Sequence, residues 1–244
     1  MAGHSKWANI KHRKGRQDEK RQKVFSKLIR ELTVAAKLGG PEPGDNPRLR
    51  LALDKALGAN MPKDTIERAI ARGSGDQEAE NLEETIYEGY GPNGVAIIVE
   101  TLTDNKNRTV AEVRHAFSKY GGSLGTDGSV AYLFTKVGQI VVENTDEEKI
   151  LDVSVSNGAD EVEKGDEDNL IISVEVEEFH NLKNVLEENE IKINQYELIM
   201  KASNSVELDV EASEKVINLL ESLEDLDDVQ NVHSNAEFSE GSFA

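Results

Sequence analysis

Residues 139–200 read QIVVENTDEEKILDVSVSNGADEVEKGDEDNLIISVEVEEFHNLKNVLEENEIKINQYELIM, and their pattern decides the fold. Apolar and β-branched runs at 139–142, 160–164, 170–176 and 192–200 predict strands, while 147–156 and 178–188 repeat apolar residues at helical spacing and 165–168 is turn-forming. The order β-α-β-β-α-β is the split βαβ, ferredoxin-like plan, and it is complete in itself. Whatever flanks it must close a core of its own.

Upstream, 85–90 and 95–102 predict a hairpin across the turn Gly91-Pro92-Asn93-Gly94. Residues 107–119 predict a helix through Val110, Val113, Ala116 and Phe117, followed by a glycine-rich loop at 121–128 and a strand at 130–134. Downstream, 206–238 offers only a helix at 213–223 and a strand at 229–233, too little for a core. That leftover pair completes the upstream β-β-α-β into a second sheet.

The N-terminal region follows another period. Val24, Phe25, Leu28, Ile29, Leu32, Ala35 and Ala36 recur at helical spacing over 17–38, and Gly39-Gly40 supplies a stop. Asn46-Pro47 reads as an N-cap with proline at the first position of a helix over 48–57; Pro62 and Gly73 frame a third over 63–72. The expectation is therefore an α+β protein. A three-helix domain (1–79) precedes two ferredoxin-like domains, of which the last (137–203) is inserted into the middle one (80–136 and 204–240).

The chain of 244 residues carries a formal charge of −19 and no cysteine, which excludes disulfides, thiolate metal sites and Cys nucleophiles. Its charge is polarised along the sequence. Residues 1–75 hold 17 Lys/Arg and 8 Asp/Glu (+9), the remaining 169 hold 11 and 39 (−28), and the first thirty alone hold ten cations against two acids. Such asymmetry predicts a polyanionic partner facing the N-terminal domain, with the acidic remainder pointing away. Lys20, Lys23, Lys27 and Arg30 form one stripe of the first helix, opposite Phe25, Leu28 and Leu32, and follow the cluster Lys11, Arg13, Lys14 and Arg16. A charged stripe is also what an ordinary solvated helix face looks like. Trp7, beside Lys6, suits stacking on an unpaired base as well as it suits pinning the N-terminal arm to the core. His4 and His12 have no third ligand nearby, so the histidines suggest phosphate or RNA contact rather than zinc.

Gly121-Gly122-Ser123-Leu124-Gly125 matches the nucleophile-elbow pattern, with His180 and His233 later in the chain. An elbow needs a strand before and a helix after its serine; here the order is inverted. The same inversion removes a nucleotide reading of Gly122, Gly125 and Gly128, leaving a flexible or positive-φ connection as their expected role. The acids at 160–168 lack the alternating ligands of a calcium loop and read as solvated surface.

The opening MAGHSKWANIKHRK (1–14), the block Tyr87-Glu88-Gly89-Tyr90-Gly91-Pro92, the run Thr103-Asp104-Asn105-Lys106-Asn107-Arg108-Thr109 and Gly125-Thr126-Asp127-Gly128-Ser129-Val130 closely resemble the YebC/PmpR family over essentially the whole chain. The resemblance implies three domains, helical first, and a probable DNA-binding transcriptional regulator. Its mitochondrial relatives look like translational activators, and some bacterial members resemble ribosome-bound factors that relieve stalling at proline-rich sequences. Several relatives carry proline two residues after a methionine at the end of the inserted domain; here Met200 is followed by Lys201-Ala202.

The resulting expectation is a cytoplasmic, non-enzymatic regulator with no cofactor, metal, membrane or small-molecule partner. It would bind nucleic acid, either DNA or ribosomal RNA on the ribosome, through Lys6, Trp7, Lys11, His12, Arg13, Lys14, Arg16, Lys20, Lys23, Lys27 and Arg30. An enzyme using the glycine-rich loop and a pure protein-interaction scaffold are its rivals.

Overall fold

A computed structural model describes residues 17–75, 82–165 and 168–239, with only the backbone described for 17–21. Three helices come first: α1 (Gln17–Gly39), α2 (Pro47–Gly58) and α3 (Lys63–Ser74). Leu32, Ala35, Leu49, Ala52, Ala56, Ile66 and Ala69 form their core. Asn46 ties two of them together. Its Oδ1 accepts from Leu49 N (3.0 Å), capping α2, while its Nδ2 donates to Ala35 O (2.8 Å) and Gly40 O (2.9 Å) at the end of α1.

Next come β1 (Glu83–Tyr90), β2 (Ala96–Thr103), α4 (Lys106–Lys119) and the two-residue β3 (Ser123–Leu124). The hairpin closes with Tyr90 opposite Ala96, and Asn93 and Gly94 in its turn both take positive φ (60° and 77°). A second set follows: β4 (Phe134–Glu143), α5 (Glu147–Ser156), β5 (Ala159–Lys164), β6 (Asn169–Val174), α6 (Phe179–Glu188) and β7 (Ile193–Ala202). Its antiparallel sheet runs β5-β6-β4-β7, the ferredoxin-like order. The chain then returns through β8 (Val206–Leu208), α7 (Val210–Glu224), β9 (Val229–Ser234) and β10 (Ala236–Phe238).

β9 joins the first sheet, whose order is β3-β1-β2-β9. The expected insertion is therefore present, because elements before and after β4–β7 build one sheet. Val95, Ile97 and Val99 face α4 and α7, packing on Phe117, Val216 and Leu220. The alternate residues Ala96 and Ile98 meet Val130, Phe134, Met200 and Ala202, so the ends of β4 and β7 cover the other face of β2.

Two sequence expectations are corrected. Residues 130–134 are not a strand of the first sheet: Ala131–Leu133 is a single 3-10 turn, and Phe134 opens β4 instead. Gly138 lies within β4, where a Cβ would lie 2.3 Å from Phe179 Cδ2. The glycine makes room for a buried ring and β4 runs straight through it. Likewise Gly73 is no simple helix stop, since its Cβ would sit 2.2 Å from Thr33 O on α1. The parallel pair β8–β10 had no counterpart in the sequence reading.

Candidate nucleic-acid interface

α1 has two working faces. Phe25, Leu28, Ile29 and Leu32 pack into the helical core, which turns Lys23, Lys27 and Arg30 away from it. The expectation that this stripe faces solvent is corrected by what lies opposite. Lys27 Nζ donates to Glu224 O (2.7 Å), and Lys23 Nζ to Asp225 O (3.1 Å) and Asp225 Oδ1 (3.3 Å). Arg30 Nη1 donates to Asp227 O (2.6 Å) and Asp228 Oδ1 (2.9 Å). Helical periodicity identifies the face a helix turns from its own core, but it says nothing of a domain about 200 residues later in the chain.

The physical reason lies in α7. Its last turn contains no basic residue, so its C-terminal carbonyls and their partial negative charge lack a local cation. α1 supplies three. The acidic turn Glu224-Asp225-Leu226-Asp227-Asp228 adds full charges to that helix end.

Asp228 is the fixed point of this contact. Its side chain is 2% exposed, and Oδ2 accepts from Arg108 Nη2 (2.7 Å), Thr109 Oγ1 (2.7 Å) and Thr103 Oγ1 (3.0 Å) while Oδ1 takes Arg30. Burial alone would raise the carboxyl's pKa, but the hydrogen bonds from Arg108, Thr109 and Thr103, with the Arg30 charge, hold it below the ordinary aspartate value. Asn105 caps α4 by accepting from Arg108 N (3.1 Å) and thereby sets the start of the helix that carries Arg108 and Thr109.

Glu88 plays a comparable part beneath the glycine-rich loop. Oε1 accepts from Gly128 N (2.7 Å), and Oε2 from Val130 N (2.8 Å) and Ala131 N (2.7 Å). Burial opposes ionisation here too, and three main-chain donors outweigh it, lowering the pKa. Of the three loop glycines expected to make a flexible or positive-φ connection, Gly128 takes positive φ (80°), as does Gly121 (79°), whereas Gly122 and Gly125 do not. Ser123 lies in β3 after a helix, while His180 Nε2 sits 3.3 Å from Pro47 O and His233 Nε2 sits 3.3 Å from Glu100 Oε2. The three elbow residues thus belong to separate elements. His233, with Asn231, holds the Glu100 carboxyl down at a pKa of about 2 against the opposing effect of burial.

The helical domain also touches the inserted one. Leu51 of α2 packs with Ile140, Phe179 and Leu182, beside the His180 contact to Pro47. Glu31 receives a bidentate pair from Arg48 (2.7 and 3.0 Å), whose guanidinium also reaches Glu84 on β1.

Among the predicted contact residues, Lys6, Trp7, Lys11, His12, Arg13, Lys14 and Arg16 lie outside the described residues, and Lys20 lies in α1 with its side chain outside them. Lys23, Lys27 and Arg30 are brought together on the acidic turn. Exposed cations that the sequence reading did not single out are Lys37 at the end of α1 and Lys63, Arg68 and Arg72 on α3. Their signal was present only as charge within the first 75 residues. Among the described residues no three His, Asp or Glu side chains are grouped to hold a metal ion, and no helix is long and apolar enough to cross a membrane.

Comparison with known proteins covers both halves of this arrangement. Residues 5–76 match the family model described as the TACO1/YebC protein N-terminal domain, and 82–236 match the one for the TACO1/YebC second and third domain. A probable transcriptional regulatory protein of Pseudomonas putida is 58% identical over 241 residues, 98% of this chain and 97% of its own length. One of Nitrosococcus oceani with the same description is 56% identical over the same length and coverage. The crystal structure of a conserved hypothetical protein from Aquifex aeolicus superposes with a TM-score of 0.82 at 48% identity, covering 91% of this chain and 93% of that one.

Proposed function

We propose, from the premise that the chain belongs to the TACO1/YebC family, that it is a non-enzymatic regulator of gene expression that grips nucleic acid by the phosphate backbone through its N-terminal domain. The observation that carries the reading is charge polarity: +9 over residues 1–75 against −28 over the rest. Relatives described as probable transcriptional regulatory proteins support the regulatory role.

Lys6, Lys11, Arg13, Lys14, Arg16 and Lys20 are the primary phosphate contacts, with Trp7 and His12 available for stacking and hydrogen bonding. Lys23, Lys27 and Arg30 extend the same line along α1, and exposed Lys37, Lys63, Arg68 and Arg72 add positive potential. Such binding draws its affinity from counterion release and carries little sequence information. The acidic sheets would be repelled by phosphate and serve to orient the N-terminal domain toward it.

A second reading, contact with ribosomal RNA, is favoured by the environment of α1. One of its faces is packed in the helical core and another is docked on α7, which leaves poor access for insertion into a DNA major groove. Cosedimentation with ribosomes, and separately retention on promoter DNA, over a salt series tests both. Neutralising six phosphates gives a log–log salt slope of about −4 to −5. Glu substitutions at Lys11, Arg13 and Lys14 should abolish the genuine association; binding that survives them, or that is flat in salt, refutes the assignment.

A further inference from the structure

We propose that the α1–α7 contact is a latch that nucleic acid opens: phosphate and the acidic turn 224–228 compete for the same three cations, so binding undocks α1 from the middle domain. This rests on the phosphate-binding reading above and adds a conformational consequence to it.

The competition follows from what the latch is made of. In the turn Lys23, Lys27 and Arg30 meet carbonyl and carboxylate oxygens of Glu224, Asp225, Asp227 and Asp228. These are the interactions a phosphate backbone offers, supplied from within the chain. Lys23 is the most N-terminal of the three cations on α1, so a strand that approaches along the helix from its N-terminal end reaches the latch there. There it meets Glu224, Asp225, Asp227 and Asp228 within a Debye length of about 8 Å, and the two sets of negative charge cannot share three cations without repulsion.

The latch is graded in strength. Lys23 and Asp225 are both largely exposed, with side chains 45% and 71% accessible, so their pair is weak and salt-labile. Arg30 with Asp228 is shielded and is the stronger end. Polyanion entering from the N-terminal side meets the weak end first, which allows stepwise exchange rather than rupture of the whole contact at once. The polarity of the helix sets that order: Lys23, Lys27, Arg30.

The chain has no cysteine, so a Gln22→Cys, Glu221→Cys pair can be spin-labelled at two exposed positions on α1 and α7. Pulsed dipolar spectroscopy then reads the α1–α7 distance in the full-length protein while a short DNA duplex or a short RNA hairpin is added to saturation. The distance should lengthen and broaden on binding. In parallel, Asp225→Asn should tighten nucleic-acid binding by about two- to fivefold, the range for loss of one exposed ion-pair competitor. Asp152→Asn on α5, which changes net charge equally at an exposed site, controls for bulk electrostatics. Saturable binding with an unchanged distance, or equal affinities for Asp225→Asn and Asp152→Asn, overturns the latch and leaves the phosphate-binding reading standing. No binding of either nucleic acid overturns both.

Discussion

Replacing Asp228 by Asn keeps its shape and removes its charge, and the surrounding geometry fixes what that costs. Oδ2 collects three donors and Oδ1 one, so the amide oxygen would take the Oδ2 position and place the new NH2 against Arg30 Nη1, now 2.9 Å away. Donor would face donor. Removing one partner of a fully buried pair costs about 3–5 kcal/mol. Arg30 and Arg108 are partly exposed, at 24% and 43%, so each can recover hydration and the cost falls to about 2–3 kcal/mol. Asp228→Ala should cost about 3–4 kcal/mol, because two buried hydroxyls also lose their acceptor, although Thr109 Oγ1 retains Asn105 O at 3.0 Å. Urea unfolding followed by far-UV circular dichroism measures the differences. The pH dependence has a definite sign. The folded pKa lies below the ordinary 3.8, so the charge contributes its full stability above that value and loses it as pH falls through the folded pKa. The gap between the natural protein and Asp228→Asn should be constant from neutral pH down to about pH 5 and narrow below pH 4. A difference under about 1 kcal/mol at neutral pH, typical of an exposed pair, would refute the reasoning, as would a gap that widens in acid.

The other expectations concern close contacts and the loop. Gly73→Ala should destabilise the helical domain by about 2 kcal/mol, as its methyl would press on the main-chain carbonyl of Thr33, whereas Gly44→Ala, with open space around it, should be neutral in the same unfolding assay. Gly138→Ala should weaken the inserted domain, and Phe179→Leu should restore part of the loss; absence of any rescue would mean that the ring is not what the glycine accommodates. Glu88→Gln puts an amide NH2 among three main-chain donors. It should accelerate hydrogen exchange at the amides of Gly128, Val130 and Ala131, and unchanged protection there would show that the loop holds itself.

The elements with strong local signals were legible. Pro47 after Asn46, the turn at 91–94, and the apolar, β-branched run from Leu170 all specify structure within a few residues, and the structure follows them, the strand ending at Val174 rather than Val176. The insertion could be read as well, because an α-β pair left over at the end of the chain has one sheet to complete. The misses share a different cause. Gly73 looks like a breaker because sequence shows the missing side chain but not the Thr33 carbonyl that fills its place. β8 and β10 are three-residue strands whose only partner is each other, too short to carry a period. The stripe Lys23, Lys27, Arg30 was visible as a pattern, while its neighbour, an acidic helix end from the far part of the sequence, was not.

That last miss bears on how the family motifs are to be understood. Long family-like motifs invite reading as contact surfaces, yet three of the four here have internal work. Thr103, Asn105, Arg108 and Thr109 assemble around Asp228 and the start of α4. Glu88 holds the Gly125–Val130 loop by its amides, Tyr90 Oη donates to Ser129 O (3.0 Å), and Gly89 lets β1 approach Ser123 O and the Phe117 ring, where a Cβ would be 2.6 and 2.8 Å away. These blocks fold the middle domain. The remaining block, residues 1–14, is of another kind: cations at 6, 11, 13 and 14 around one tryptophan, with neither a helical nor a strand period to suggest a packing role. Substitutions in the first three blocks should therefore act on stability and bring any loss of binding with them, whereas charge reversal at Lys11, Arg13 and Lys14 should remove binding from a protein whose unfolding curve is unchanged. A fall in stability from the latter set would place this block in the core and move the search for the contact to Lys37, Lys63, Arg68 and Arg72.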